Sequence, residues 1–138
     1  MAYENTRVAV PRSQEKIRQL IMRNKGTGVA FISQPPMEGF QAMMPINGEI
    51  YTIRISAYVK ENRHDPDKEA RRIWRVLFHH LKDIFEASNS GVMEFRELIL
   101  PYIVTKDGKT VAQHILPKLE SAINGNPERM LPAPKDEK

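Results

Sequence analysis

The chain has 138 residues, 41% of them hydrophobic and 28% charged, with a net charge of +4 and no cysteine. That length suits a single domain around one core, and the balance is that of a folded chain. Without cysteine there is no disulfide, no thiolate metal site and no thiol nucleophile, and a reducing compartment fits. The first twelve residues are polar, and no stretch approaches the roughly 20 apolar residues of a membrane span, so the expectation is a cytoplasmic protein with no membrane partner.

The charge is unevenly spread. Residues 1–25 carry a net +4 and residues 60–83 a net +2, while the remainder sums to −2. The positive excess therefore sits on the two N-terminal helical regions, a bias that suits a polyanionic partner.

In chain order, Arg7 to Pro11 reads as extended, because a residue before proline is pushed away from helical dihedrals. Ser13 then serves as an N-cap, and Ile17, Leu20 and Ile21 form the buried face of a helix running to about Asn24. Gly26 is the expected C-terminal cap. Gly28 to Ser33 reads as a first strand, followed by a loop from Gln34 to Gly39. Phe40–Ile46 and Glu49–Ala57 flank Asn47-Gly48, a two-residue hairpin turn. Such a turn sets the register: Met44 opposite Tyr51, Ala42 opposite Ile53, Phe40 opposite Ile55. Those six share the core face, and Gln41, Met43, Thr52 and Arg54 share the other.

Residues 59–66 form a charged loop. Asp65 caps a long helix that starts at Pro66 or Asp67 and ends at Asn89-Ser90-Gly91. Ala70, Ile73, Trp74, Leu77, Phe78, Leu81, Ile84 and Phe85 make its apolar stripe, while Lys68, Arg71, Arg72, Arg75, His79 and Lys82 lie outside it. Val92 to Leu100 suits a short helix, Tyr102 to Val104 a short extended piece, and Lys106 to Lys109 a turn. Thr110 caps a last helix, kinked or restarted at Pro117. The fold class expected is α+β: a three-stranded antiparallel meander packed by a long amphipathic helix, with further C-terminal helices. Residues 1–124 make one domain, and 125–138 a disordered proline-rich tail.

No catalytic signature is present. The histidines lack chelating spacing, so neither a metal nor another cofactor is expected. Pro66-Asp67-Lys68-Glu69 superficially matches a nuclease carboxylate–lysine pattern. It falls where a helix begins, and acids belong there in any case.

Several segments together carry a resemblance. Val10-Pro11-Arg12-Ser13, Gly26-Thr27-Gly28, Arg71-Arg72-Ile73-Trp74-Arg75-Val76-Leu77, Ala87-Ser88-Asn89-Ser90-Gly91-Val92 and Tyr102-Ile103-Val104 before Asp107-Gly108-Lys109-Thr110 resemble a family of small proteins of tailed bacteriophages, prophages and other bacterial mobile elements. It covers most of residues 8–120. It implies a setting, the bacterial host cytoplasm where an element's DNA is replicated or recombined, and it supplies no catalytic residue.

The expectation is a small non-enzymatic DNA-binding protein, for single strands or without sequence preference. Its contacts are Arg12, Lys16, Arg23 and Lys25 around the first helix, Arg71, Arg72, Arg75 and Lys82 on the long helix, and Arg54 on the sheet, with Tyr58 or Phe31 stacking on a base. The alternative is a module that binds a host protein through Pro35-Pro36-Met37, Met43 and the tail. A homo-oligomer is compatible with either.

Overall fold

A computed structural model of the chain describes residues 2–58 and 65–124, with residues 2–9 as backbone only. Helix α1 (Ala2–Arg23) leads into strands β1 (Thr27–Gln34), β2 (Met37–Ile46) and β3 (Glu49–Tyr58). Then come α2 (Pro66–Asn89), α3 (Phe95–Ile99), a 3-10 turn (Leu100–Tyr102) and α4 (Val111–Asn124). The three strands form one antiparallel sheet in the order β1-β2-β3, so the fold is α+β. Most of the expected charged loop at 59–66 and all of the tail at 125–138 lie outside the described residues.

The Asn47-Gly48 hairpin sets the frame. Both turn residues have positive φ, 52° and 83°, as a two-residue hairpin turn requires. Met44 lies opposite Tyr51, Ala42 opposite Ile53 and Phe40 opposite Ile55, the register the sequence implies. Phe40, Ala42, Met44, Ile53 and Ile55 are buried, and only Tyr51, near the turn, stays in water. Against that face pack Ile17, Leu20 and Ile21 of α1 and Ile73, Trp74, Leu77, Leu81, Ile84 and Phe85 of α2. The α2 boundaries follow their signals: the Asp65 side chain accepts from the Lys68 N–H at 3.1 Å, and Pro66 occupies the first turn.

Three local expectations are corrected. Residues 7–11 are helical: α1 runs through Pro11, and Ser13 sits inside it, not at its cap. Continuing the helix places Val10 on the stripe of Ile17 and Ile21, where it packs against the core. A tertiary contact there overrides a local dihedral preference. Second, Gln34–Gly39 is not an open loop. Gln34 pairs with Met37 and Ser33 with Glu38, leaving Pro35-Pro36 as a two-residue connection. Third, Gly26 is not the left-handed residue that ends α1. Lys25 is, with φ 74°. Its N–H donates to the Met22 carbonyl at 3.1 Å, and the Gly26 N–H donates to the Ile21 carbonyl at 2.8 Å, a Schellman closure. Gly26 is required for a different reason: a Cβ there would lie 2.3 Å from the Met44 sulfur.

The C-terminal region closes the free edge of β3. Ile103 bridges to Ile53, and the Val104 N–H donates to the Thr52 carbonyl at 2.8 Å. Thr110 caps α4 in a reciprocal box. Its Oγ1 accepts from the Gln113 N–H at 3.2 Å, and the Gln113 side chain accepts from the Thr110 N–H at 2.8 Å. The helix continues through Pro117 to Asn124 without restarting.

Candidate nucleic-acid interface

Helices α1 and α2 lie side by side in parallel. The Asn89 side chain at the end of α2 donates to the Asn24 oxygen at the end of α1, at 3.2 Å. About two turns earlier on α1, the Lys16 ammonium stands 5.6 Å from the Phe78 ring centroid. Contacts in the same order along both helices mean that both point the same way. The cause is topological: three antiparallel strands separate them, and the four reversals this entails, an even number, return the chain in its original sense.

Each helix carries cations with one spacing. Arg12, Lys16 and Arg23 step by four and seven along α1, as do Arg71, Arg75 and Lys82 along α2. Steps of four and seven keep side chains on one flank of a helix. Phe78 is three residues after Arg75 and four before Lys82, so its contact with Lys16 turns the two flanks toward each other. Arg12, Lys16, Arg23, Arg75, His79 and Lys82 are all exposed. The Lys82 ammonium stands 3.9 Å from Glu86, with both groups in water, a pairing of little strength.

The other expected contacts have different surroundings. Arg72 is held by its neighbour: its Nε and Nη2 donate to the two Glu69 oxygens at 3.2 and 2.7 Å, and Glu69 is only 7% exposed. That pairing raises the Arg72 pKa further and leaves little of its charge for a ligand. Arg71 is half-buried, and its Nε lies inside without a hydrogen-bond partner among the described residues. Arg54 is on the opposite side of the sheet from α1 and α2. Its guanidinium donates to the Gly108 carbonyl at 2.8 Å and the Gln113 side chain at 3.2 Å, clamping the turn before α4. Lys25 is exposed at the end of α1.

Neither proposed stacking aromatic belongs to this face. Phe31 meets Trp74 edge-on at 5.8 Å, and the Arg18 guanidinium stands 5.2 Å from its centroid. Tyr58 is 62% exposed but points to the outer sheet face with Arg54. The elements named for protein binding also stand apart. Pro35-Pro36 and Met43 are at opposite ends of β2, roughly 20 Å apart at the rise of a strand.

Two polar constellations escape the sequence reading. Glu38 is buried on the core face, where one oxygen accepts from the Trp74 indole at 2.9 Å and the other from the Ser33 hydroxyl at 2.8 Å. Extending β2 back to Met37 would have revealed it, since Glu38 then alternates onto the face of Phe40. In the turn before α4, Asp107 accepts from the Thr105 hydroxyl at 2.5 Å, the Lys109 N–H at 3.1 Å and His114 Nε2 at 3.1 Å. These donors, led by Thr105, hold the Asp107 carboxyl well below the usual carboxylate range. Thr105 and Asp107 share one imidazole nitrogen, so they fasten a turn and do not form a proton relay. His80 instead bonds the Tyr102 hydroxyl at 2.8 Å, and His64 lies outside the described residues.

Among the described residues no three His, Asp or Glu side chains converge to hold a metal ion, and no helix is long and apolar enough to cross a membrane. Comparison with protein-family models, with curated proteins and with solved structures returns no match.

Proposed function

We propose that the chain is a non-enzymatic binding protein for nucleic-acid backbones, DNA in the first instance, which it engages through the paired flanks of α1 and α2. The contact of Lys16 with Phe78 carries this reading, because it joins two cation rows that a single helix could not supply. Arg12, Lys16, Arg75 and Lys82 form the centre of the contact, with Arg23 and His79 at its margin. Contacts of this kind neutralise phosphates without reading bases, which suits single strands or duplexes of any sequence. Phe78, at the seam of that face, is half-buried and covered by the Lys16 ammonium, so the site draws its affinity from charge and not from stacking. The resemblance to small phage-type proteins supports a setting in a bacterial cytoplasm, in replication or recombination of an element's DNA.

The test is an anisotropy titration with labelled single-stranded DNA, duplex DNA and RNA over a series of salt concentrations. Neutralising about four phosphates on a single strand gives a slope of log affinity against log salt near −3. Lys16→Glu with Arg75→Glu is expected to weaken binding by at least tenfold and flatten that slope. Arg54→Gln, on the far side of the sheet, is expected to leave both unchanged. Affinity indifferent to salt in the unaltered chain overturns the proposal.

A further inference from the structure

Helix α4 leaves its apolar side in water. Ile115, Leu119 and Ile123 form a row at every fourth residue with Leu116 beside it, all between 40% and 69% exposed. The row begins at Val111, which lines a depression together with Tyr51, Leu100 and Ile103. One continuous apolar strip therefore runs from the hairpin turn along the length of α4. Leaving this much of a helix face uncovered is costly, and its exposed part is on the order of 500 Å², the upper end of what monomers tolerate.

We propose that this strip is the contact between two copies of the chain, related by a twofold axis near Leu119. Three observations favour a second copy as the occupant. First, the strip is of the right size: with its polar rim it approaches the roughly 800 Å² per partner of a standard interface. Second, α4 is electrically neutral in a basic protein, with Lys118 and Glu120 its only full charges. It therefore neither selects an oppositely charged partner nor repels its own copy. Third, the row is self-complementary. An antiparallel pairing about Leu119 brings Ile115 beside Ile123 of the partner subunit, and ridges of fourth-residue spacing interlock with their like. Arg54 and Gln113 brace the first turn of α4 against the sheet, so the strip is presented on a fixed element. The cation rows belong to α1 and α2 and not to this strip, so a dimer carries two cationic faces.

Sedimentation equilibrium of the full chain, without nucleic acid, is the direct test. Twice the chain mass is expected at high concentration, and Leu116→Glu with Leu119→Glu is expected to restore the single mass with unchanged circular dichroism. Because the chain lacks cysteine, Leu119→Cys is expected to give a disulfide-linked dimer under mild oxidation, and Gln19→Cys on α1 is not. A single mass for the unaltered chain at all concentrations overturns the proposal. Hydrogen exchange then distinguishes the remaining occupants. A protected α4 in that monomer assigns the strip to the chain's own residues beyond Asn124, and an unprotected one to a different protein. The measurement is independent of DNA, so its failure leaves the binding proposal standing and the reverse also holds.

Discussion

Lys25 adopts φ 74° to end α1, a conformation that a side chain with a Cβ enters at a cost of about 1–2 kcal/mol. Lys25→Gly is therefore expected to raise the urea denaturation midpoint by the equivalent of roughly 1 kcal/mol. Gly26, one residue on, is constrained in the opposite sense: Gly26→Ala forces a methyl into the Met44 sulfur and the Ile21 side chain and is expected to lose about 1–3 kcal/mol in the same urea titration. The sequence marks Gly26 as essential but suggests it for the turn, because glycine is the common left-handed residue and lysine is not. Glu38 shows a similar limit. A carboxylate among strand residues reads as surface until its alternation with Phe40 is known, and its partner Trp74 is 36 residues away. Glu38→Ala leaves the buried indole N–H without an acceptor and is expected to cost on the order of 1–3 kcal/mol.

At the level of elements, legibility follows how locally each feature is determined. The β2–β3 hairpin is encoded by Asn47-Gly48, because a two-residue turn admits one register and that register brings Phe40, Ala42, Met44, Ile53 and Ile55 to one face. The β1–β2 connection is just as short, but its Pro35-Pro36 lacks the familiar signature and so reads as the start of a loop. At α1 the dihedral preference before proline yields to packing of Val10 against the core. The turn at Thr105–Lys109 makes a prediction of its own. Asp107 is held below its ordinary pKa, so its carboxylate stabilises the turn above the unfolded value near 4 and loses that contribution as the pH falls through the lower folded value. Its exposure keeps the effect small. In an acid titration followed by the resonances of Thr105 and His114, the turn is expected to stay ordered below pH 4 in the unaltered chain. In Asp107→Asn the same resonances are expected to be already shifted at neutral pH.

For the whole molecule, the arrangement of α1 beside α2 decides what the cations can do together. The spacing of Arg12, Lys16 and Arg23, and of Arg71, Arg75 and Lys82, is readable from the sequence, but their meeting depends on both helices running the same way. That too was latent: an odd number of antiparallel strands lies between them, and counting the strands gives the sense of the second helix. What no local rule supplies is which guanidiniums are already engaged, since Glu69 claims Arg72 only because it is itself turned inward. Arg72→Gln is accordingly expected to change DNA affinity less than twofold, whereas Arg75→Gln lowers it severalfold in the same anisotropy assay. The sole tryptophan, wholly enclosed beneath this pair of helices, has an optical consequence. Its emission should redden when the core opens and stay constant when a ligand settles on the outside, so fluorescence tracks folding in every variant without confusion from occupancy.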